Sequence, residues 1–277
     1  MKELEGKVSI VVLNYNGKEL LRKCLESILK ETEYGNYEII VVDNNSSDAS
    51  VEMVKKFFPE LKLIQNKKNY GFSKGNNIGA KYGLRNDAEF ILFLNNDTEV
   101  TKGWLREMVK IAKSKEEIGI VGPRFLFPDG RIQKNCYKYR YGFSHSLAPD
   151  KIMEVDCVTA ACMLIKRRVI EKIGLLDESY YPIYFEDVDY CFRVKKAGFK
   201  IICTPNSIVY HHKGVTMEKL DWQYETYHTN RIRFILKHFP HSWLIVRFFI
   251  EIWNIIEAIK KKKLKILLST YSKNHII

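Results

Sequence analysis

Val8-Ser9-Ile10-Val11-Val12-Leu13, running straight into Asn14-Tyr15-Asn16-Gly17, is the stretch that decides the fold. A short, continuous apolar run closed by a polar cluster reads as a strand buried on both faces. Leu20, Leu21, Cys24, Leu25 and Ile28 follow at helical spacing. The alternation then repeats. The apolar run 39–42 is closed by Asp43-Asn44-Asn45-Ser46-Ser47-Asp48, and a helix over 50–58, a strand at 61–65, a helix over 73–84 and a strand at 90–94 come next. Buried strands alternating with helices predict an α/β fold with a mostly parallel central sheet flanked by helices. Ligands of such sheets bind beyond the carboxyl ends of the strands. The polar clusters after the first, second and fourth strands therefore gather along one edge, which is the predicted site.

Further along, the pattern gives a helix over 102–113 and a strand at 118–122. It breaks over 124–153, a stretch rich in Tyr, Phe, Gly and Pro that reads as hairpin and loop. Order returns with a strand expected at 155–165, where Ala160-Ala161 would let another backbone come close. A helix over 186–197 and a strand over 200–210, ending in His211-His212, complete the pattern.

A chain of 277 residues, 46% hydrophobic and 28% charged, can bury a proper core and is not disordered. Its six cysteines (Cys24, Cys136, Cys157, Cys162, Cys191 and Cys203) form no Cys-x-x-Cys pair. They read as reduced, mostly buried thiols, which argues against a zinc or redox role. With no signal peptide ahead of Val8, the expected location is the cytoplasm.

The formal charge of +12 is uneven: from His228 onward ten Lys or Arg face only Glu251 and Glu257, a local excess of +8. Residues 242–259 are almost wholly apolar, with Arg247, Glu251, Asn254 and Glu257 recurring as one narrow polar stripe of a helix. Three charges argue against a membrane span. A helix lying in an anionic membrane interface beside Lys260–Lys263 fits better, which would make the protein peripheral on the inner face of the membrane. The alternative is a helix packed on the domain or on a second subunit, so a homodimer stays open. The sequence offers no RRM, KH or helix-turn-helix signature, so nucleic acid is not an expected partner.

Four clusters carry candidate chemistry. Asn95-Asn96-Asp97 closes the fourth strand, where a carboxylate can supply an oxygen ligand to Mg2+ or Mn2+; as a turn and helix cap the same residues are equally ordinary. Glu186-Asp187-Val188-Asp189 opens a helix, where a carboxylate can take a proton from a hydroxyl or simply favour the helix dipole. Asp187 and Asp189 lie about 200° apart on a helix, so one at most faces a substrate. His211-His212 at a strand end can turn one imidazole toward a metal. The loop 69–77, NYGFSKGNN, opens a helix whose N-terminus can meet phosphate or be a capped turn. It matches neither a dinucleotide fingerprint nor a Walker loop.

Together, VSIVVLNYNG (8–17), IIVVDNNSSD (39–48), NYGFSKGNN (69–77), FLNNDTEV (93–100), VDCVTAACMLIKRR (155–168), YFEDVDYCFRVKKAGFKI (184–201) and VYHHKG (209–214) resemble, in order, family 2 glycosyltransferases of the GT-A fold, notably the rhamnosyltransferase-like members. The resemblance spans about 8–238. It implies a GT-A domain over 1–220, with a nucleotide-sugar half to about 123 and an acceptor half over 124–220, followed by a basic helical segment over 221–277. It implies an inverting, metal-dependent enzyme using Mn2+ or Mg2+ and a dTDP-rhamnose or UDP-sugar donor, while the membrane-facing tail points to a polysaccharide or lipid-linked glycan acceptor. The competing classes are a catalytically silent sugar-nucleotide-binding protein and, behind it, a nucleic-acid-binding protein using the basic tail. In residue terms, it implies that Tyr15 and Asp43 hold the nucleotide base, with Asn14, Asn16, Asn69, Asn76 and Asn96 adding nucleotide contacts. Asp97 would be the metal ligand of an Asp-x-Asp motif whose first position is Asn95 here. Asp187 would be the general base, with Glu186 orienting the acceptor or the loop. His211 would reach the metal or diphosphate, with His212 as the other candidate. Ala160 stands where many relatives carry Gly.

Overall fold

The computed structural model describes residues 6–140, 143–148, 150–212 and 221–239, with single helical positions at 252, 255, 256 and 259. Apart from those four positions, the expected interfacial helix over 242–259 lies outside the described residues, as do its Lys260–Lys263 neighbours and most of the basic tail.

The first half alternates as the sequence predicts: β1 (Val8–Asn14), α1 (Lys18–Glu31), β2 (Tyr37–Asp43), α2 (Ser50–Phe57), β3 (Lys62–Gln65), α3 (Gly71–Arg85) and β4 (Phe90–Asn95). Then come β5 (Thr98–Val100), α4 (Trp104–Ser114) and β6 (Ile118–Leu126). The aperiodic stretch holds β7 (Ile132–Gln133) and a hairpin of β8 (Cys136–Arg140) and β9 (Phe143–Leu147). The second half continues with β10 (Met153–Val155), β11 (Cys157–Val158), β12 (Cys162–Lys166), α5 (Arg167–Ile173), α6 (Glu186–Lys196), β13 (Lys200–His211) and α7 (Asp221–His238).

The central sheet runs β10-β13-β6-β12-β4-β1-β2-β3, with β5 on β13 and β7 on β6. Its half from β4 to β3 is all parallel. Insertion of β12, antiparallel to both β4 and β6, makes the whole sheet mixed. Period 2 explains the core: Val8, Ile10 and Val12 face one apolar cluster with Leu21, Leu25 and Ile28 of α1, while Val11 faces the other with Ala80 of α3. Both faces are covered, which is why the strands read as unbroken apolar runs.

Two expectations need correction. The strand expected at 155–165 is three short strands, with β11 paired to β8 in a separate three-stranded sheet. The break comes where Asp156 turns its carboxylate to the Tyr139 amide at 2.7 Å and Ala161 gives its carbonyl to the Asn95 amide at 2.9 Å. An apolar run buried throughout carries no periodicity to mark such a break. The six cysteines are likewise not all free: Cys136 and Cys203 are disulfide-bonded across 67 residues, while Cys24, Cys157, Cys162 and Cys191 are buried thiols. Only the fold brings the start of β8 against β13, so spacing could not reveal the pair.

Candidate active site

Strand direction assembles the site. The carboxyl ends of β1, β2 and β4 bring Asn14, Asp43 and Asn95 to one edge. Because β12 runs the other way, its start, preceded by Thr159-Ala160-Ala161, reaches the same edge. Both β6 and β13 run with β4 again, so His211 also ends there.

On the first half of this edge the loops are tied to one another. Asn14 Nδ2 donates to Asp43 Oδ1 and to Ser46 Oγ, each at 3.1 Å, and Asn96 Nδ2 donates to Asn14 Oδ1 at 2.7 Å. Asp43 also accepts from Ser46 Oγ at 2.6 Å and from the Ser46 amide at 2.8 Å. Asn16, at φ 49°, accepts from the Ser47 amide at 2.7 Å. Tyr15 stands 47% exposed beside them, free to stack on a flat ring. The structure thus brings Asn14, Tyr15, Asn16, Asp43 and Asn96 together. Asn69 and Asn76 serve the scaffold: Asn69 Oδ1 accepts from the Gly71 amide at 2.8 Å, and buried Asn76 donates to the Phe72 carbonyl at 3.1 Å.

Asp97 sits in the turn between β4 and β5, only 8% exposed, and its Oδ1 has no hydrogen-bond partner among the described residues. His211 Nε2 lies 3.4 Å from that oxygen. Two ligand atoms sharing one octahedral Mg2+-sized ion sit about 3 Å apart, so the pair fits a divalent cation. Among the described residues no third His, Cys, Asp or Glu joins them, so phosphate oxygens and water would complete the shell. His212 turns away and meets Glu99 at 2.7 Å.

The second half of the edge opens into a cavity of about 330 Å3, walled by Phe72, Tyr137, Tyr139, Ile183, Tyr184, Phe185 and Tyr227, with Asn95, Ala160, Glu186 and Asp187 among its polar and backbone boundary. Tyr184 (φ 83°) and Phe185 (φ 70°) enter α6 in the left-handed region, a conformation costing on the order of 1–3 kcal/mol per residue. Packing holds them there: both rings contact Tyr227, and Phe185 also meets Phe234 of α7.

That turn presents the acids. Asp187 Oδ2 accepts from the Ala160 amide at 3.3 Å and Oδ1 from the Val188 amide at 2.8 Å; burial raises its proton affinity above the usual carboxylate range. Glu186 is 4% exposed with Oε2 unpartnered among the described residues, and burial, then the Asp187 charge, pushes it up further. Asp189 faces the other way, fully buried. Burial would raise it, but hydrogen bonds from His238, Lys237 and Arg193 outweigh that and hold it well below the usual range. The two aspartates thus sit on opposite sides of the helix in unlike environments, as the spacing predicted.

Sequence reading missed several wall residues. Tyr137 and Tyr139 alternate along β8, a period-2 signal too short to stand out in an irregular stretch. Tyr227 lies beyond the expected boundary at 220/221, on α7, which packs back on the segment leading into α6: Asn230 donates to the Ile183 carbonyl at 2.9 Å.

The sequence profile described as "Glycosyl transferase family 2" matches residues 9–174. The chain belongs to that family. A protein of Sinorhizobium fredii is 32% identical over 228 residues, covering 76% of this chain but 25% of the relative. A low-salt glycan biosynthesis hexosyltransferase of Haloferax volcanii is 27% identical, covering 93% of this chain and 86% of its own. A dTDP-rhamnosyl transferase of Shigella flexneri is 24% identical, covering 76% and 71%. Among solved structures, GalNAc-T7 with UDP, GalNAc and Mn2+ superposes with a TM-score of 0.66 at 18% identity, covering 84% of this chain and 48% of that one. At such identity the likeness shows the fold, a GT-A glycosyltransferase fold, and this family 2 chain spans only a quarter of the first relative's length. Among the described residues no helix is long and apolar enough to cross a membrane.

Proposed function

We propose that this chain is a glycosyltransferase that moves a sugar from a nucleoside-diphosphate donor to a hydroxyl of a glycan, by a single displacement with inversion. The observation that carries the reading is the two-part edge: a buried, unpartnered Asp97 oxygen beside His211 on one side, and Asp187 in an aromatic cavity on the other.

The loops around Asn14, Asp43 and Asn96 hold the nucleoside, with Tyr15 stacking on its base. Asp97 and His211 would hold a divalent cation, Mn2+ or Mg2+, whose charge would offset that growing on the departing diphosphate. The aromatic walls of the cavity, Tyr137, Tyr184 and Tyr227, cover the apolar faces of an acceptor sugar, and Glu186 offers its unpartnered oxygen to an acceptor hydroxyl. Asp187 takes the proton of the attacking hydroxyl while the new bond forms to the anomeric carbon and the bond to the diphosphate oxygen breaks. The acceptor oxygen attacks the face of the anomeric carbon opposite the departing diphosphate, so the anomeric configuration inverts and no sugar–enzyme bond forms. The Ala160 and Val188 amides keep the Asp187 oxygens aligned, while burial makes the carboxylate a stronger base than a solvated aspartate.

The rhamnosyl relative favours dTDP-rhamnose as donor, with UDP-sugars next. A growing polysaccharide or lipid-linked glycan is the acceptor class, and residues 242–277 would keep the enzyme at an anionic membrane surface. A thermal-shift screen of nucleotide sugars with and without Mn2+ tests the reading. One donor should raise the melting temperature in a Mn2+-dependent, saturable way; no response from any nucleoside-diphosphate sugar would contradict it.

A further inference from the structure

His211 is the last residue of β13, and three strand ladders fix its surroundings. Gln133 of β7 pairs with Phe125 of β6, Phe125 pairs with Val209 of β13, and His211 itself pairs with Thr98 of β5, the residue after Asp97. The His211 ring packs on Phe125 with centroids 5.1 Å apart, and both His211 and Gln133 are buried. Gln133 therefore touches His211 at two points: its Oε1 lies 2.7 Å from ring Nδ1, and its Nε2 donates to the His211 backbone carbonyl at 3.4 Å.

For a neutral ring, the chemistry of these atoms leaves one arrangement. A backbone carbonyl only accepts, so the NH2 of Gln133 points to the main chain and its oxygen to the ring. An amide oxygen also only accepts, so Nδ1 carries the proton. In a neutral imidazole the other nitrogen is then a bare lone pair. That lone pair, on Nε2, faces the unpartnered Oδ1 of Asp97 at 3.4 Å. Two electron-rich atoms opposed in a buried site repel each other and are reconciled by a cation between them.

We infer that Gln133 is a positioning residue that fixes the His211 tautomer with Nδ1 protonated, leaving Nε2 as the metal-binding nitrogen opposite Asp97. The inference rests on the divalent-cation reading above. It adds a residue from the one stretch of the chain with no readable period, and a partner of this kind commonly controls metal affinity by 10- to 100-fold.

Long-range 1H–15N NMR of the intact, metal-free protein at pH 8 reads the tautomer directly, and Mn2+ added alone reports occupancy through broadening of the His211 ring signals. The wild type should show protonated Nδ1 and unprotonated Nε2, with the His211 signals broadening on addition of Mn2+. Gln133→Leu should lose the fixed tautomer and need about 10- to 100-fold more Mn2+ for the same broadening. Gln133→Glu, which keeps an acceptor at Nδ1, should preserve both. A wild-type ring protonated on Nε2 instead overturns the inference without any variant, which covers the case of Gln133→Leu failing to fold. A folded Gln133→Leu with unchanged tautomer and Mn2+ response overturns it too, while leaving the metal reading intact. Wild-type His211 signals indifferent to saturating Mn2+ would overturn the metal reading itself, and this inference with it.

Discussion

Glu186 buries a carboxylate with one unpartnered oxygen beside Asp187, and burial, then that neighbouring charge, raises its proton affinity well above that of an unfolded glutamate. Folding therefore favours its protonated form. The associated stability is present below the unfolded value near pH 4.5 and is lost as pH rises through the higher folded value. Glu186→Gln, neutral at every pH, should thus be more stable than the wild type at pH 8 by about 1 kcal/mol or more, with the difference shrinking at pH 4. Urea midpoints of both proteins at the two pH values check this, and the same variant should lose transfer activity. Such opposition between stability and function belongs at an active site. Asp187 gives a companion prediction. A base works deprotonated, so its raised affinity moves the acid limb of kcat/KM above the range of an ordinary aspartate, with the rate falling as pH drops through it. A kcat/KM profile flat down to pH 4 would exclude Asp187 as that base. These proton affinities were invisible in the sequence, where Glu186 and Asp187 read equally well as helix-dipole partners, because burial depends on walls from β8, β11 and α7.

At the scale of elements, α3 and α7 hold the two halves of the site. Gly75, Gly79 and Gly83 form one stripe on α3, and a Cβ at Gly79 would lie 2.4 Å from Val11 Cγ1 and 2.9 Å from Val42 Cγ2. The helix presses directly on β1 and β2, which sets where the loops carrying Tyr15 and Asp43 emerge. Gly79→Val should destabilise by about 1–3 kcal/mol through overpacking and weaken nucleotide binding with it, measurable by denaturation and by calorimetry with the donor nucleotide. The loop opening this helix was legible as a phosphate-binding candidate, but the stripe behind it is a packing feature. On α7, Lys237 and His238 each reach the fully buried Asp189 at 2.7 Å, and Arg193 joins at 2.8 Å. Asp189→Ala leaves Lys237 and Arg193 facing an empty socket and should cost about 3–5 kcal/mol, the range for breaking a buried pair. Faster amide exchange should appear in α7 while the amides of β1 and β4 stay protected. The helical periodicity of α6 separated Asp187 from Asp189 correctly, yet two of Asp189's partners, Lys237 and His238, come from α7, a helix that begins 32 residues beyond it.

For the molecule as a whole, the parallel half of the sheet and its ligand edge were readable because each strand is a run buried on both faces and each polar cluster falls at a strand end. The second half of the chain was only partly readable. It is built from short antiparallel pieces, β7 through β11, whose pairing is set by long-range contacts such as Asp156 with Tyr139 and Cys136 with Cys203. The proposed function depends on these halves meeting: the Asn95 amide, at the end of β4 and two residues before Asp97, is bonded to the Ala161 carbonyl, next to the Ala160 amide that holds Asp187. The most direct measurement of that meeting is sugar transfer by the wild type and Asp187→Asn, using the donor identified by thermal shift. Donor binding should stay within about threefold, whereas kcat should fall by 10^2 to 10^4, the usual worth of a general base. An Asp187→Asn protein that binds donor and transfers at a near-normal rate would contradict the account.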